Sequence, residues 1–488
     1  MLFVSAEAVP FAKVGGMADV VGSLPKALRQ LPQEDKVDAR VILPGYGFIS
    51  HSKHNFSHLF TFKCALHTGT ADVKVYSTVY DGVPYYFLQA WPYFGEEAEV
   101  YTDWEWDVPR FIFYNQIVVG AMAEIGERLG WWPQVVHVND WHTGLVPFLI
   151  KRAPQPEWAT VASLLSIHNL AYQGDRTGGY LWESGVPNRD HPALTSRGLT
   201  DNILAIAIAY SDIVTTVSPR YAEEIQHAYM GNSLDDLIRV RRADLQGILN
   251  GIDTELWNPA TDPDLAVNFN VDNFHEERIA NKRYLQQQSG LPQRDEALVI
   301  GMVTRLVAQK GVDIALPALR HFLAGYDAQF IVLGSGDAES EQGMAQLATD
   351  FGWKARAYLQ YNAATAQHIY GGCDLFLMPS HFEPCGMGQM IAMRYGALPL
   401  VRETGGLADT VENYDNSDAS QGTGFVFQWQ EADAVFGTLR WALDVFNNRQ
   451  SAWRRMQHRA MSRDFSWHQS AGQYVALYQK AVVKKIGR

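Results

Sequence analysis

Short apolar runs rich in β-branched residues recur at 2–5, 135–138, 164–168, 213–217 and 247–250, each followed by turn residues and a longer stretch with helical spacing. That alternation predicts an α/β domain whose parallel strands are covered on both faces by helices. The cycle restarts at 298–303, 330–333, 375–378 and 398–401, which predicts a second α/β domain. Between the two sets, 253–294 carries Trp257-Asn258-Pro259, Thr261-Asp262-Pro263 and a short charged helical pattern at 275–288, so the junction is placed there. The expected organisation is a first domain over 1–253, a connection over 254–294, a second domain over 295–465 and a terminal helix over 466–488. Residues 60–101 are rich in Thr, Val and Tyr and read as a β-hairpin insertion in the first domain.

Composition narrows the picture. The 488 residues suffice for two large cores, and 40 Lys+Arg against 53 Asp+Glu leave a formal charge of −13, which argues against a nucleic-acid partner. Charged residues are only 19% of the chain, below the roughly 25% of an average globular protein. The longest apolar stretch, near 203–210, falls well short of the about 20 residues that span a bilayer, so no membrane partner is expected. Met1 leads straight into Leu2-Phe3-Val4-Ser5 without a basic segment, so no secretory leader is expected. Cys64, Cys373 and Cys385 are too few and too scattered for a disulfide framework or a cysteine zinc site, which points to a reducing, cytoplasmic setting.

In parallel sheets, ligands collect beyond the carboxyl ends of the strands. The residues found just past the expected strands include Lys13, Gly15 and Gly16; Asp140 and His142; His168 and Asn169; Asn250; Arg305 and Lys310; Glu383; and Thr404, Gly405 and Gly406. Glycines, cations and a few carboxylates suit a phosphorylated or nucleotide ligand better than an apolar one. Gly15-Gly16 stands between the first strand and a helix expected near Asp19; it is either a tight turn or a place where backbone amides and the helix N-terminus meet an anion. Arg305 and Lys310, at a strand-to-helix junction, could address one diphosphate, Arg as a fork and Lys as a compact charge. His137 and His142 flank Asp140 in His137-Val138-Asn139-Asp140-Trp141-His142 without a third ligand at characteristic spacing, so packing is the better reading and no metal is expected. Pro384 fixes and Gly386 frees the backbone around Glu383, while Cys385 has no evident activating pair and reads as a small buried cysteine. Aromatics reach 12%, clustered from Trp91 to Trp106; such rings fill cores or face sugars, and Tyr361 could stack on a base.

Taken in order, Lys13-Val14-Gly15-Gly16-Met17-Ala18-Asp19, His137 to His142, His168-Asn169-Leu170-Ala171-Tyr172-Gln173-Gly174, Asn250-Gly251-Ile252-Asp253, Arg305 to Lys310-Gly311, Glu383-Pro384-Cys385-Gly386 and Thr404-Gly405-Gly406-Leu407-Ala408-Asp409 closely resemble the bacterial glycogen synthase and plant starch synthase family. That resemblance implies a GT-B fold of two Rossmann-like domains facing across a cleft, with the terminal helix crossing back to the first. It further implies a retaining glucosyltransferase using ADP-glucose as donor and an α-1,4-glucan as acceptor, with no cofactor. Lys13, Gly15, Gly16, Arg305, Lys310, Gly405 and Gly406 would hold the diphosphate, with Asp19 and Thr404 in the same motifs, and Tyr361 would stack on adenine. Glu383, beside Cys385 and Gly386, would hold glucose hydroxyls, and Asp140 and the carbonyl of His168 would face the anomeric carbon, with Tyr101, Asn169 and Asn250 as nearby contacts. A UDP-glucose donor or a small-sugar acceptor is the alternative. Three departures stand out: Met17 follows the glycine pair, Met387-Gly388 replaces the Leu-Thr common in relatives, and Ile391 occupies the place where many other GT-B transferases carry a second glutamate.

Overall fold

The computed structural model describes residues 1–186, 188–416 and 420–487. The chain forms two compact units, one built from Met1–Gly251 and Trp467–Arg488, the other from Ile252–Ser466.

In the first unit, the strands are β1 (Leu2–Val4), β2 (Arg40–Pro44), β3 (Ser57–Leu66), β4 (Gly69–Tyr80), β5 (Val83–Gln89), β6 (Val135–Asn139), β7 (Ala162–Ile167), β8 (Ile213–Thr216) and β9 (Leu245–Gly247). Among the described residues they make one sheet in the order β3-β4-β5-β2-β1-β6-β7-β8-β9. The central strands pair in parallel, and β1, β6, β7 and β8 are buried along their whole length, which explains their near-continuous apolar sequence. The segment read as a β-hairpin insertion holds three strands over 57–89. β3, β4 and β5 are antiparallel to one another, but β5 also pairs in parallel with β2, so the segment extends the main sheet. The alternating burial of β3 and β4 marks an antiparallel edge with one wet face.

The terminal helix Trp467–Ile486 packs against the helix Gly16–Gln30 and against β7. Its Tyr478 hydroxyl lies 3.0 Å from His137 Nδ1, and His137 Nε2 lies 2.7 Å from Ser166 Oγ. His137 is therefore a fully buried packing residue whose two nitrogens are satisfied, and burial holds its pKa well below the ordinary value. The apolar run 203–210 is the helix Ile203–Tyr210, buried on all sides. No described helix is long and apolar enough to cross a membrane.

The second unit holds β10 (Leu298–Val303), β11 (Ala328–Leu333), β12 (Ala355–Tyr358), β13 (Leu375–Met378), β14 (Leu398–Arg402) and β15 (Phe425–Phe427), all parallel, in the order β12-β11-β10-β13-β14-β15. Residues 252–294 lie in this unit. Their helix Phe274–Gln288 packs on the helix Ala363–Gly372, the Arg278 guanidinium donates to the carbonyls of Cys373 and Tyr395, and Lys282 pairs with Asp374 at 2.7 Å.

Candidate active site

The strand ends of the first unit gather a polar cluster around Asp140. Asp140 follows β6 with φ +54°, a left-handed backbone that a non-glycine residue adopts at a cost of about 1–3 kcal/mol and that is found most often where function requires it. Its Oδ1 accepts from His168 N at 2.7 Å and from Asn169 N at 3.5 Å. The side chain is only 6% exposed. Burial pushes its pKa up to about 7, outweighing the two amides that favour the anion, and the Glu7 carboxylate raises it further. His168 Nε2 lies 2.9 Å from Asn139 Oδ1, and Asn139 spends its NH₂ on Val4 O, so Nε2 carries the proton. Burial lowers the His168 pKa to about 3, and the ring is neutral at any ordinary pH. Asn169 Oδ1 accepts from Ala171 N at 3.0 Å, which shapes the turn after His168. Tyr101 stacks on His142 with ring centroids 4.9 Å apart. Asn250 is buried, and its Oδ1 has no partner among the described residues, nor has Nδ1 of buried His142.

The glycine pair of this unit opens the helix earlier than expected: Gly15 is the N-cap and Gly16 the first residue of Gly16–Gln30. Lys13 reaches Asp19 at 2.7 Å across the first turn. The feature that the sequence reading missed is Glu7. One of its carboxylate oxygens accepts from Val14 N at 2.6 Å and Gly15 N at 2.8 Å, and the other accepts from the Tyr101 hydroxyl at 2.6 Å. The amides of Val14 and Gly15 are thus spent on a carboxylate of the chain itself, which leaves the helix's own first-turn amides for an anion at this turn. Gly15 has extended backbone, and a Cβ there would meet nothing within 4 Å, so no protein neighbour requires a glycine. What it keeps clear is space outside the protein. Glu7 stands two positions past Ser5, within the reach of the strand-end rule. Glu7→Ala is expected to cost about 1–2 kcal/mol of unfolding free energy, because the amides it holds are partly wet; chemical denaturation measures the loss.

The second unit assembles the other half of the expected residues. Glu383, 5% exposed, receives Lys310 Nζ on both oxygens, at 2.8 and 2.6 Å, and the Ser380 hydroxyl at 2.9 Å. Arg402 Nε donates to Ser380 O at 2.8 Å and its guanidinium also reaches His381 O, fixing the loop that presents Glu383. Arg305 is exposed, with Nη2 3.4 Å from Gln309 Oε1, so Lys310 and Arg305 have different partners. Tyr361 is 62% exposed. Gly405-Gly406 is explained by packing: a Cβ on Gly405 would lie 2.0 Å from Glu383 O and one on Gly406 2.1 Å from Cys385 O, and Gly406 N donates to Glu383 O at 3.1 Å. Thr404 is the buried N-cap residue before them. Gly386 has φ +75°, turning the chain after buried Cys385. A Cβ on Gly388 would meet the Phe376 ring at 3.1 Å, which gives a packing reason for glycine at that departure from the family motif. Among the described residues no group of His, Cys, Asp or Glu could hold a metal ion.

Comparison with known proteins agrees with this layout. The family model described as "Starch synthase catalytic domain" matches residues 1–240, and that described as "Glycosyl transferases group 1" matches 285–455. The glycogen synthase of Geobacillus thermodenitrificans is 41% identical over 99% of this chain and 98% of its own, and that of Thermotoga maritima is 39% identical over the whole of both. The catalytic domain of starch synthase IV from Arabidopsis thaliana, solved with ADP and acarbose bound, superposes with a TM-score of 0.89 at 32% identity, covering 99% of each chain. Sucrose-phosphate synthase from Thermosynechococcus elongatus, at 15% identity and a TM-score of 0.61 over 98% of each chain, shares the fold alone. With two parallel-sheet units of the GT-B type and whole-length identity near 40%, the chain belongs to the glycogen and starch synthase family of glycosyltransferases.

Proposed function

We propose that the chain transfers glucose from ADP-glucose to the non-reducing end of an α-1,4-glucan with retention of configuration, in the cytoplasm. The observation that carries the donor assignment is the whole-length likeness to a starch synthase solved with ADP bound. In this reading Lys13, Gly15, Gly16, Asp19, Arg305, Lys310, Thr404, Gly405 and Gly406 surround the diphosphate, and Tyr361 offers its exposed ring to adenine. Glu383, with Cys385 and Gly386, takes the glucose hydroxyls; Asp140, His168, Asn169, Asn250 and Tyr101 surround the anomeric carbon and the acceptor.

Departure of ADP builds negative charge on the diphosphate and positive character at the anomeric carbon. Cations on the first and oxygen acceptors near the second stabilise that state more than the ground state. His168 is held neutral by burial and fixed as the Nε2–H tautomer, so it contributes a positioned backbone rather than a titrating ring. A same-face displacement, in which the leaving phosphate takes the proton of the acceptor 4-hydroxyl, asks no side chain to become a covalent nucleophile. A retaining glycosidase would need two carboxylates free to act roughly 5 Å apart; Glu383 is engaged on both oxygens by Lys310 and also by Ser380.

Purified protein given ADP-glucose or UDP-glucose with a maltooligosaccharide should lengthen the chain with the first donor and release ADP, with new α-linkages by proton NMR. Faster extension from UDP-glucose would replace the donor assignment, and no extension from either would overturn the reading.

A further inference from the structure

The second unit carries a cavity of about 570 Å³ lined by none of the residues assigned above to the donor or acceptor. It lies at the carboxyl ends of β14 and β15, lined by Glu403, Gln428 and Trp429 from the strand ends and by Ala408, Asp433 and Gly437 from the helices Gly405–Thr410 and Ala432–Asn448. Its volume falls within the roughly 300–1,000 Å³ of ordinary small-molecule sites.

Two independent details distinguish it from a surface dent. Trp429 is 69% exposed at the wall, held out by a turn in which Glu431 N donates to Trp429 O at 2.9 Å. A solvent-facing indole loses nothing by being covered and offers a flat apolar face next to polar groups. The second detail is Gly437. It sits inside a regular 17-residue helix, where glycine is less favourable than alanine. A Cβ there would meet nothing within 4 Å, so neither packing nor backbone conformation within the protein calls for a glycine. The residue keeps the floor of the cavity open and exposes helix backbone to it. Opposite, Gln428 Nε2 donates to Glu403 Oε2 at 2.9 Å, an amide–carboxylate pair of acceptors and donors suited to hydroxyl groups.

An exposed indole, a floor of small residues and a paired amide and carboxylate match the two faces of a hexose ring, one of C–H groups and one of hydroxyls. We propose that this cavity binds glucosyl units of the polymeric α-glucan acceptor, holding the polymer to the enzyme apart from the reacting chain end. The proposal rests on the glucan reading of the acceptor. Among the described residues that line the cavity there is no cation to meet a phosphate, and Glu403 and Asp433 would oppose one, which separates this ligand from the nucleotide.

The test compares the full-length enzyme with Trp429→Ala and Gly437→Leu, the latter placing a side chain in the cavity while keeping the indole and favouring the helix. In both variants KM for glycogen should rise by about 5–10-fold, as expected for one lost ring contact, while kcat and KM with maltotriose stay as in the parent. Retardation in glycogen-containing native gels should weaken in parallel. Unchanged glycogen KM and retardation in both variants, or an equal change with glycogen and maltotriose, would overturn the proposal, as would a loss of ADP affinity in Gly437→Leu, which would make the cavity part of the nucleotide site. Absence of glucan extension by the parent enzyme would instead strike the proposed function.

Discussion

Lys310→Ala is expected to lower kcat by about 10²-fold or more, because in the proposed function Lys310 is a positive charge beside the group that becomes negative as the bond to ADP breaks. The substitution has a second consequence that must be separated from the first. Lys310 holds both oxygens of Glu383, which is 5% exposed, so alanine leaves a buried carboxylate with only the Ser380 hydroxyl and should cost a few kcal/mol of stability. Lys310→Ala combined with Glu383→Gln removes the stranded charge, and its melting temperature should recover much of the loss. Its kcat should not recover. If kcat with ADP-glucose is unchanged in Lys310→Ala, or returns together with stability in the double variant, Lys310 serves only to fix the Glu383 loop.

That pair also shows what a sequence can and cannot reveal. Strand-end reasoning places Lys310 and Glu383 in one list, because both follow parallel strands, but ligand-directed residues and mutual partners look alike there. The 2.6 Å contact between them depends on β10 and β13 lying side by side, an adjacency set by sheet order rather than by sequence spacing. The same holds for the two glycine pairs. Both stand at strand-to-helix turns, yet Gly405-Gly406 is demanded by the backbone of Glu383 to Cys385 pressing against it, while Gly15 faces open space. Only coordinates tell a glycine kept for the fold from one kept for a visitor.

The two α/β sheets were legible because buried parallel strands read as uninterrupted apolar runs. Residues 57–89 were less so: alternation signals an antiparallel edge, but the parallel partnership of β5 with β2 leaves no local trace. Glu7 went unnoticed because an isolated carboxylate beyond a strand carries no pattern; its importance comes from Val14, Gly15 and Tyr101 converging on it from 7, 8 and 94 positions away. His137 turns inward to Tyr478 and Ser166, while the end of β6 delivers the buried Asp140 just past the strand.

Asp140→Asn should separate activity from stability more sharply than any other substitution. Burial raises the folded-state pKa of Asp140 to about 7, well above the ordinary aspartate value near 3.9, so folding favours the protonated form. The stability contribution of this group is therefore complete below about pH 4 and is lost as pH rises through about 7. Asparagine is neutral throughout and can still accept the His168 amide through its oxygen. At pH 8 the variant should melt at a higher temperature than the parent, and at pH 4 the difference should vanish. Activity should move the other way. If the carboxylate stabilises positive character at the anomeric carbon, kcat/KM of the parent rises about tenfold per pH unit toward a plateau above about 7, and the variant loses about 10²-fold or more at the plateau together with that acidic limb. A variant that is destabilised at pH 8, or one that keeps the limb, would make Asp140 a structural acceptor for the turn after β7. Its left-handed backbone, costly carboxylate and position against the His168 amide are together what a site that trades stability for chemistry requires.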